Sequence, residues 1–304
     1  MILPAKYNII NTMKILIFVL GAIMLFSCSS PNLIKKYSAS KEPSPPGTVQ
    51  IAENLYFDGS EISNISYLEY LYWLARIYGN ESEKYNSMLP DTLVWLDSIS
   101  TWEHFTDIYL RHPAYHDYPS VGTSFEQAEA YSKWRSNVVF QNLLIKEKKI
   151  PAIFDVKDSF FTVEKYFKGQ YYGIKPDLNQ PYPSYYLPDS TTFYKVAIFA
   201  EKYNRAKNRF RSKKYVKSSP LLNFICEKYY YNRAPIPVFP SRNSKIIANL
   251  KGNIREMTNV KGQVYGGCYL DNSDAVYDRI LYDQKTPNSY TGFRNACKFV
   301  KWEE

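Results

Sequence analysis

Histidine is nearly missing from this chain, with three in 304 residues. A histidine-rich metal centre is excluded on that count alone. His112 and His116 stand four apart, the spacing of two ligands on one helical face, but Pro113 between them favours a loop role. Cysteine is scarce too: four, at 28, 226, 268 and 297. No internal repeat is present, which excludes a repeat architecture. One long apolar run occurs, "ILIFVLGAIMLFS", residues 15–27. Acids are absent from "KYNRAKNRFRSKKYVK", Lys202 to Lys217, in a chain of formal net charge +9. That stretch reads either as a solvated face or as a contact for acidic envelope polymers or an acidic partner.

Aromatic residues are abundant, at 17% with 29 tyrosines, and hydrophobic residues reach 45%. The chain can bury a real core. Tyrosine has an apolar body and a polar tip, so this composition suits a half-polar core or a broad contact surface.

The apolar run follows Met13-Lys14 and is too short to span a bilayer as a mature helix. A charged start, an apolar middle and small residues at the end make residues 1–27 a signal peptide. Its ending, "LFSC", resembles a bacterial lipobox, which implies cleavage before Cys28 and lipidation of that thiol. An ordinary signal peptide with a cysteine in this place is the alternative. Cleavage would remove Lys6 and Lys14 and no acid, taking the net charge from +9 to +7. Residues 28–49, rich in Ser, Pro and Lys, read as a flexible tether. No acidic cluster follows Cys28; resemblance to Bacteroidetes-type lipoproteins, where such a cluster favours export to the cell surface, then implies the periplasmic face of the outer membrane. Nucleic acid is not an expected partner of an exported chain.

From residue 50 the pattern is a loop-rich α+β domain, with short segments broken by 18 prolines and 12 glycines. Ser66 with Glu69 forms a capping-box pattern, Leu68, Leu71, Leu74 and Ile77 follow at helical spacing, and Gly79 ends the helix. Ser124 with Gln127 starts a second helix, with Ala128, Tyr131 and Trp134 on one stripe. Asp189 caps a third, with Phe193, Ala197 and Ala200 inward.

Six blocks, in order, resemble the formylglycine-generating (sulfatase-modifying factor) family. They are "DGSEISNISYLEYL", "YPSVGTSFEQAEAYSKWRS", "YYLPDSTTFYKVA", "IIANLKGNIREMTN", "VYGGCY" and "TGFRNA", spread over residues 56–300. The resemblance implies a C-type-lectin-like fold over residues 50–304, with an insertion around 140–184. "LPDTLVWLDSISTWEHFTDIYLRHPAYHDYP" and "FTVEKYFKGQYYG" are similar to gliding-motility and type IX secretion lipoproteins of Bacteroidetes, the GldJ and GldK group.

Catalytic members carry two cysteines shortly after the glycine pair, where thiolates bind copper(I). The matching positions here are Asp271 and Val276, a hard carboxylate and an apolar side chain, so the family's reaction is not expected. The segment Gly252, Asn253, Ile254 and Glu256 matches a family turn that can hold calcium; the alternative is a turn fixed by hydrogen bonds alone. The resemblance places Cys268 and Cys297 on neighbouring strands, which implies a disulfide; the alternative is two small buried hydrophobes. Tyr265, Tyr269 and Asp271, with Asn272 and Asp274, are expected to line the mouth of the old cleft as an interaction surface.

These readings point to a non-catalytic, lipid-anchored envelope component that binds other envelope proteins. A glycan- or peptidoglycan-binding module and an enzyme using other residues of the old site are the alternatives.

Overall fold

The computed structural model describes residues 44–96, 103–157, 159–210, 234–238, 247–250, 252–271, 280–282 and 287–303, with 201–210 described as helical backbone. The signal peptide, Cys28, most of the tether, Cys226, Asn272, Asp274, Val276 and the basic residues 211–217 lie outside them. Within these bounds the chain is mixed α and β, with few long helices and two small sheets.

Strand β1 (Thr48–Ala52) turns back antiparallel on β2 (Leu55–Asp58) through Asn54, which adopts positive φ. Helix α1 (Asn64–Tyr78) starts at Ser63, whose hydroxyl accepts the Ser66 amide, and stops at Gly79, φ 91°. The start therefore lies three residues before the expected cap. The reason is Asn64, whose buried side chain donates to the carbonyls of Tyr109 and Tyr115 and fixes the helix entry. A short helix α2 (Glu83–Asn86), a 3₁₀ turn (Thr92–Leu96) and α3 (Phe105–Ile108) follow. His112 accepts the Ala114 amide at the start of the next turn, and His116 bonds to the Arg111 carbonyl, so both serve the loop.

Helix α4 (Phe125–Lys146) carries the expected capping box between Ser124 and Gln127. Its buried face starts with Ala128 and Tyr131 and continues through Phe140 and Leu144. The expected insertion folds back on this second half: α5 (Val163–Phe167) and the residues around it bury Phe161, Tyr166, Phe167 and Tyr171 against Phe140 and Leu144. Next come β3 (Tyr182–Tyr186) and α6 (Ser190–Phe210). Asp189 accepts the Thr192 amide as expected, and Phe193, Val196 and Ala200 face inward.

The last quarter contributes β4 (Arg255–Met257), β5 (Gln263–Tyr265), β6 (Ile280–Tyr282), β7 (Thr291–Gly292) and β8 (Ala296–Val300). One sheet runs β1-β2-β8-β3 and is antiparallel throughout; the other runs β6-β5-β4-β7 and pairs β4 with β7 in parallel. Gly292 lets β7 lie against the backbone of Ser120, because a Cβ there would stand 2.5 Å from the Ser120 carbonyl oxygen.

Candidate functional site

Four of the quoted blocks converge on one buried ionic cluster. Asp58 ends β2, Glu61 lies between β2 and α1, Arg135 projects from α4, Glu256 from β4, and Arg294 stands between β7 and β8. Arg135 grips Asp58 with both terminal nitrogens, at 2.7 and 2.8 Å, the forked geometry that guanidinium and carboxylate favour. Its guanidinium also lies 4.1 Å from the Tyr185 ring centre and donates to the Pro46 carbonyl. The Asn295 amide completes Asp58, at 2.8 Å.

Arg294 is fully buried. It donates to Glu256 and to the carbonyls of Ala248 and Asp58, and lies 3.8 Å from Glu61. Asn253 and Asn249 donate to the two oxygens of Glu61. A single guanidinium thus faces two carboxylates in a dry interior. Burial, with the Glu61 and Asp58 charges, outweighs Arg294 and pushes the Glu256 carboxyl up to about 8. Burial also raises Glu61.

The turn from Gly252 to Glu256 belongs to this cluster. The Asn253 side chain is spent on Glu61 and on the Ile236 amide, which its oxygen accepts at 2.8 Å. Glu256 is held by Arg294. Ile254 packs with Trp95, Phe105 and Tyr109, and Gly252 is buried at the turn. These side chains fit the hydrogen-bonded turn, with a guanidinium between the carboxylates. Among the described residues no group of three or more His, Cys, Asp or Glu is arranged to hold a metal ion.

The loop after β5 corrects two expectations. Tyr265 does not line a mouth. It is fully buried and stacked on Phe193, with ring centres 4.5 Å apart at 10°. The cause is α6, which packs over this end of the strand. Cys268 and Cys297 do not form a disulfide; both are free and buried. Cys297 sits on β8 opposite Tyr56 and Tyr185, whereas Cys268 follows β5 in the other sheet.

Gly266, φ 80°, turns the chain out of β5. Asp271 then reaches back: one carboxylate oxygen accepts the Cys268 amide at 2.7 Å and the other accepts Arg255 at 2.9 Å. Burial pushes the Cys268 thiol up to about 12. Tyr269 is half-buried; its amide donates to the Asn253 carbonyl and its hydroxyl bonds to Ser289. The residues placed at the old cleft therefore tie this loop to the β4 turn.

Sequence reasoning quoted the blocks holding Asp58, Glu61, Arg135 and Arg294 but gave those residues no role. No local signal set them apart, because the blocks that hold them are rich in other polar residues.

A cavity of about 760 Å³ opens on the outer side of the cluster, lined by Asp58, Ser66, Glu69, Asp117, Trp134 and Arg135 among others. No protein-family model matches the chain, and no curated protein does. Among solved structures, one titled "Crystal Structure of CarF" aligns over 81% of this chain and 87% of that one, at 14% identity and a TM-score of 0.36. A likeness of that size carries no argument about fold or function.

Proposed function

We propose that this chain is a non-catalytic cell-envelope lipoprotein, a scaffold or interaction component related to gliding motility and type IX secretion. One observation carries the non-catalytic half: the chain after the glycine pair is closed by the Arg255–Asp271 pair around a buried thiol. A nucleophilic cysteine acts as a thiolate, and burial pushes the Cys268 thiol up to about 12, which disfavours that form at neutral pH. The lipobox, the tether and the patchwork resemblance support the envelope half. Among the described residues no helix is long and apolar enough to cross a membrane, which is compatible with attachment through Cys28 at the periplasmic face of the outer membrane. The test is to incubate the protein with copper and a sulfatase-type peptide and to search by mass spectrometry for cysteine converted to aldehyde. No turnover above the protein-free control is expected; turnover would sink the proposal.

The cavity beside Trp134 supports a second reading, an envelope glycan-binding module, because an aromatic face beside carboxylates suits a sugar ring and its hydroxyls. Retention on peptidoglycan that is lost in Trp134→Ala, with folding preserved, would favour this reading over the scaffold.

A further inference from the structure

The loop after α4 is built inside out. Asp155, its one acid over residues 151–157, points inward and is 5% exposed, while Phe154 beside it is 83% exposed. Ile153 and Val156 are also exposed, at 36% and 50%. The inversion is held firmly. Asp155 accepts the Trp73 indole at 3.0 Å, the Gln141 amide group at 3.1 Å and the Phe161 backbone amide at 2.9 Å. Paired backbone bonds between Val156 and Ser159 close the hairpin. A loop that merely faced water would turn its carboxylate out and its phenylalanine in. Here three bonds from three separate segments keep the apolar side chains in solvent.

The surroundings indicate what covers them. Trp73, Tyr78 and Phe160 form an edge-to-face aromatic cluster at the base of the loop, and the Lys165 amine lies 3.4 Å from the Phe160 ring centre. Lys146 and Lys148 on one side and Lys157 on the other are exposed and make no ion pair with described residues; Lys149 pairs with Glu147 and Asp177, and Lys168 with Glu164. A projecting apolar tip, a base of Trp and Tyr, and flanking lysines match the layers of a bilayer: acyl chains, interface and anionic headgroups.

We propose that residues 151–157 form a membrane-seating tip that inserts Phe154, Ile153 and Val156 into an anionic lipid surface. The tip projects outward, and a projecting apolar point fits a bilayer better than it fits a rigid protein groove. The lysines add long-range attraction that salt screens. The proposal does not depend on lipidation of Cys28.

The test uses the full chain carrying Cys28→Ser, so that residue 28 offers no thiol for acylation, together with Phe154→Trp as a reporter that keeps the tip apolar. Vesicles of phosphatidylglycerol with phosphatidylcholine are compared with pure phosphatidylcholine, and both sets are repeated with lipids brominated on the acyl chain. The extra emission of the reporter indole should shift to the blue and be quenched by bromine on the anionic vesicles, and raising salt should weaken the effect. Phe154→Asp with Val156→Asp, which leaves the melting temperature unchanged because both sites are exposed, should reduce the loop-dependent part of vesicle binding by about tenfold or more. Lys148→Glu with Lys157→Glu should reduce it on anionic vesicles alone. Retention on vesicles with the reporter indole unquenched would assign binding to another part of the chain and overturn the proposal. A blue shift that grows with protein concentration in the absence of vesicles would make the tip a contact between copies and overturn it as well.

Discussion

Arg294 holds two buried carboxylates with one positive charge, so a proton has to make up the difference at neutral pH. Buried charge is costly unless neutralised, and burial raises both carboxyls, pushing Glu256 up to about 8. The direction of the pH effect follows. Folded Glu256 keeps its proton up to about 8, whereas the unfolded carboxyl releases it near 4.5. Between those values the folded state binds more protons, so stability falls as pH rises. Glu256→Gln removes this titration. Its melting temperature should nearly equal that of the wild type near pH 5–6, and should decline less than that of the wild type between pH 6 and 8. Parallel melting curves for the two proteins across that range would show that Glu256 does not hold the proton. Removal of Arg294 is a different matter, because it leaves buried carboxylates uncompensated. Arg294→Met is expected to cost about 3–5 kcal/mol, read as a shift in the denaturation midpoint.

At the scale of single elements, helix ends were legible in the sequence. Ser124 with Gln127, Asp189 and Gly79 all act where expected, because capping depends on short-range bonds between neighbours. Ser124→Ala should cost about 1 kcal/mol, measured by chemical denaturation, and Gln127→Ala should show part of the same loss. What was illegible depended on segments far apart in the chain. Ser66 looked like a cap from its spacing to Glu69, but Asn64 and its bonds to residues 109 and 115 set the start earlier. Tyr265 was expected beside the mouth of a cleft placed by the resemblance; Phe193, some seventy residues before it, covers it. The disulfide expectation took Cys268 and Cys297 to share neighbouring strands, but Cys268 lies past the end of β5, whereas Cys297 is on β8 in the other sheet. The blocks of charged residues were visible, yet their common destination was not, since no local pattern states that residues 58, 135, 256 and 294 meet.

For the molecule as a whole, the lipobox leads to a direct experiment. Wild-type protein expressed in a host with lipoprotein processing should take up labelled palmitate, and Cys28→Ser should accumulate as unprocessed precursor without label. Label that persists in the mutant would exclude acylation at that thiol. The central sheet has a further consequence, in the timing of folding. Strand β8, near the end of the chain, lies between β2, near its start, and β3. No earlier strand can stand in for it, and Asp58 obtains its Asn295 partner from the same late segment. Contacts this distant in sequence form slowly, after the loop between them has closed. As the chain is made, therefore, the first sheet remains incomplete until residues near 300 are available. The aromatic segments destined for the core stay uncovered, and open to association, until the last strand arrives.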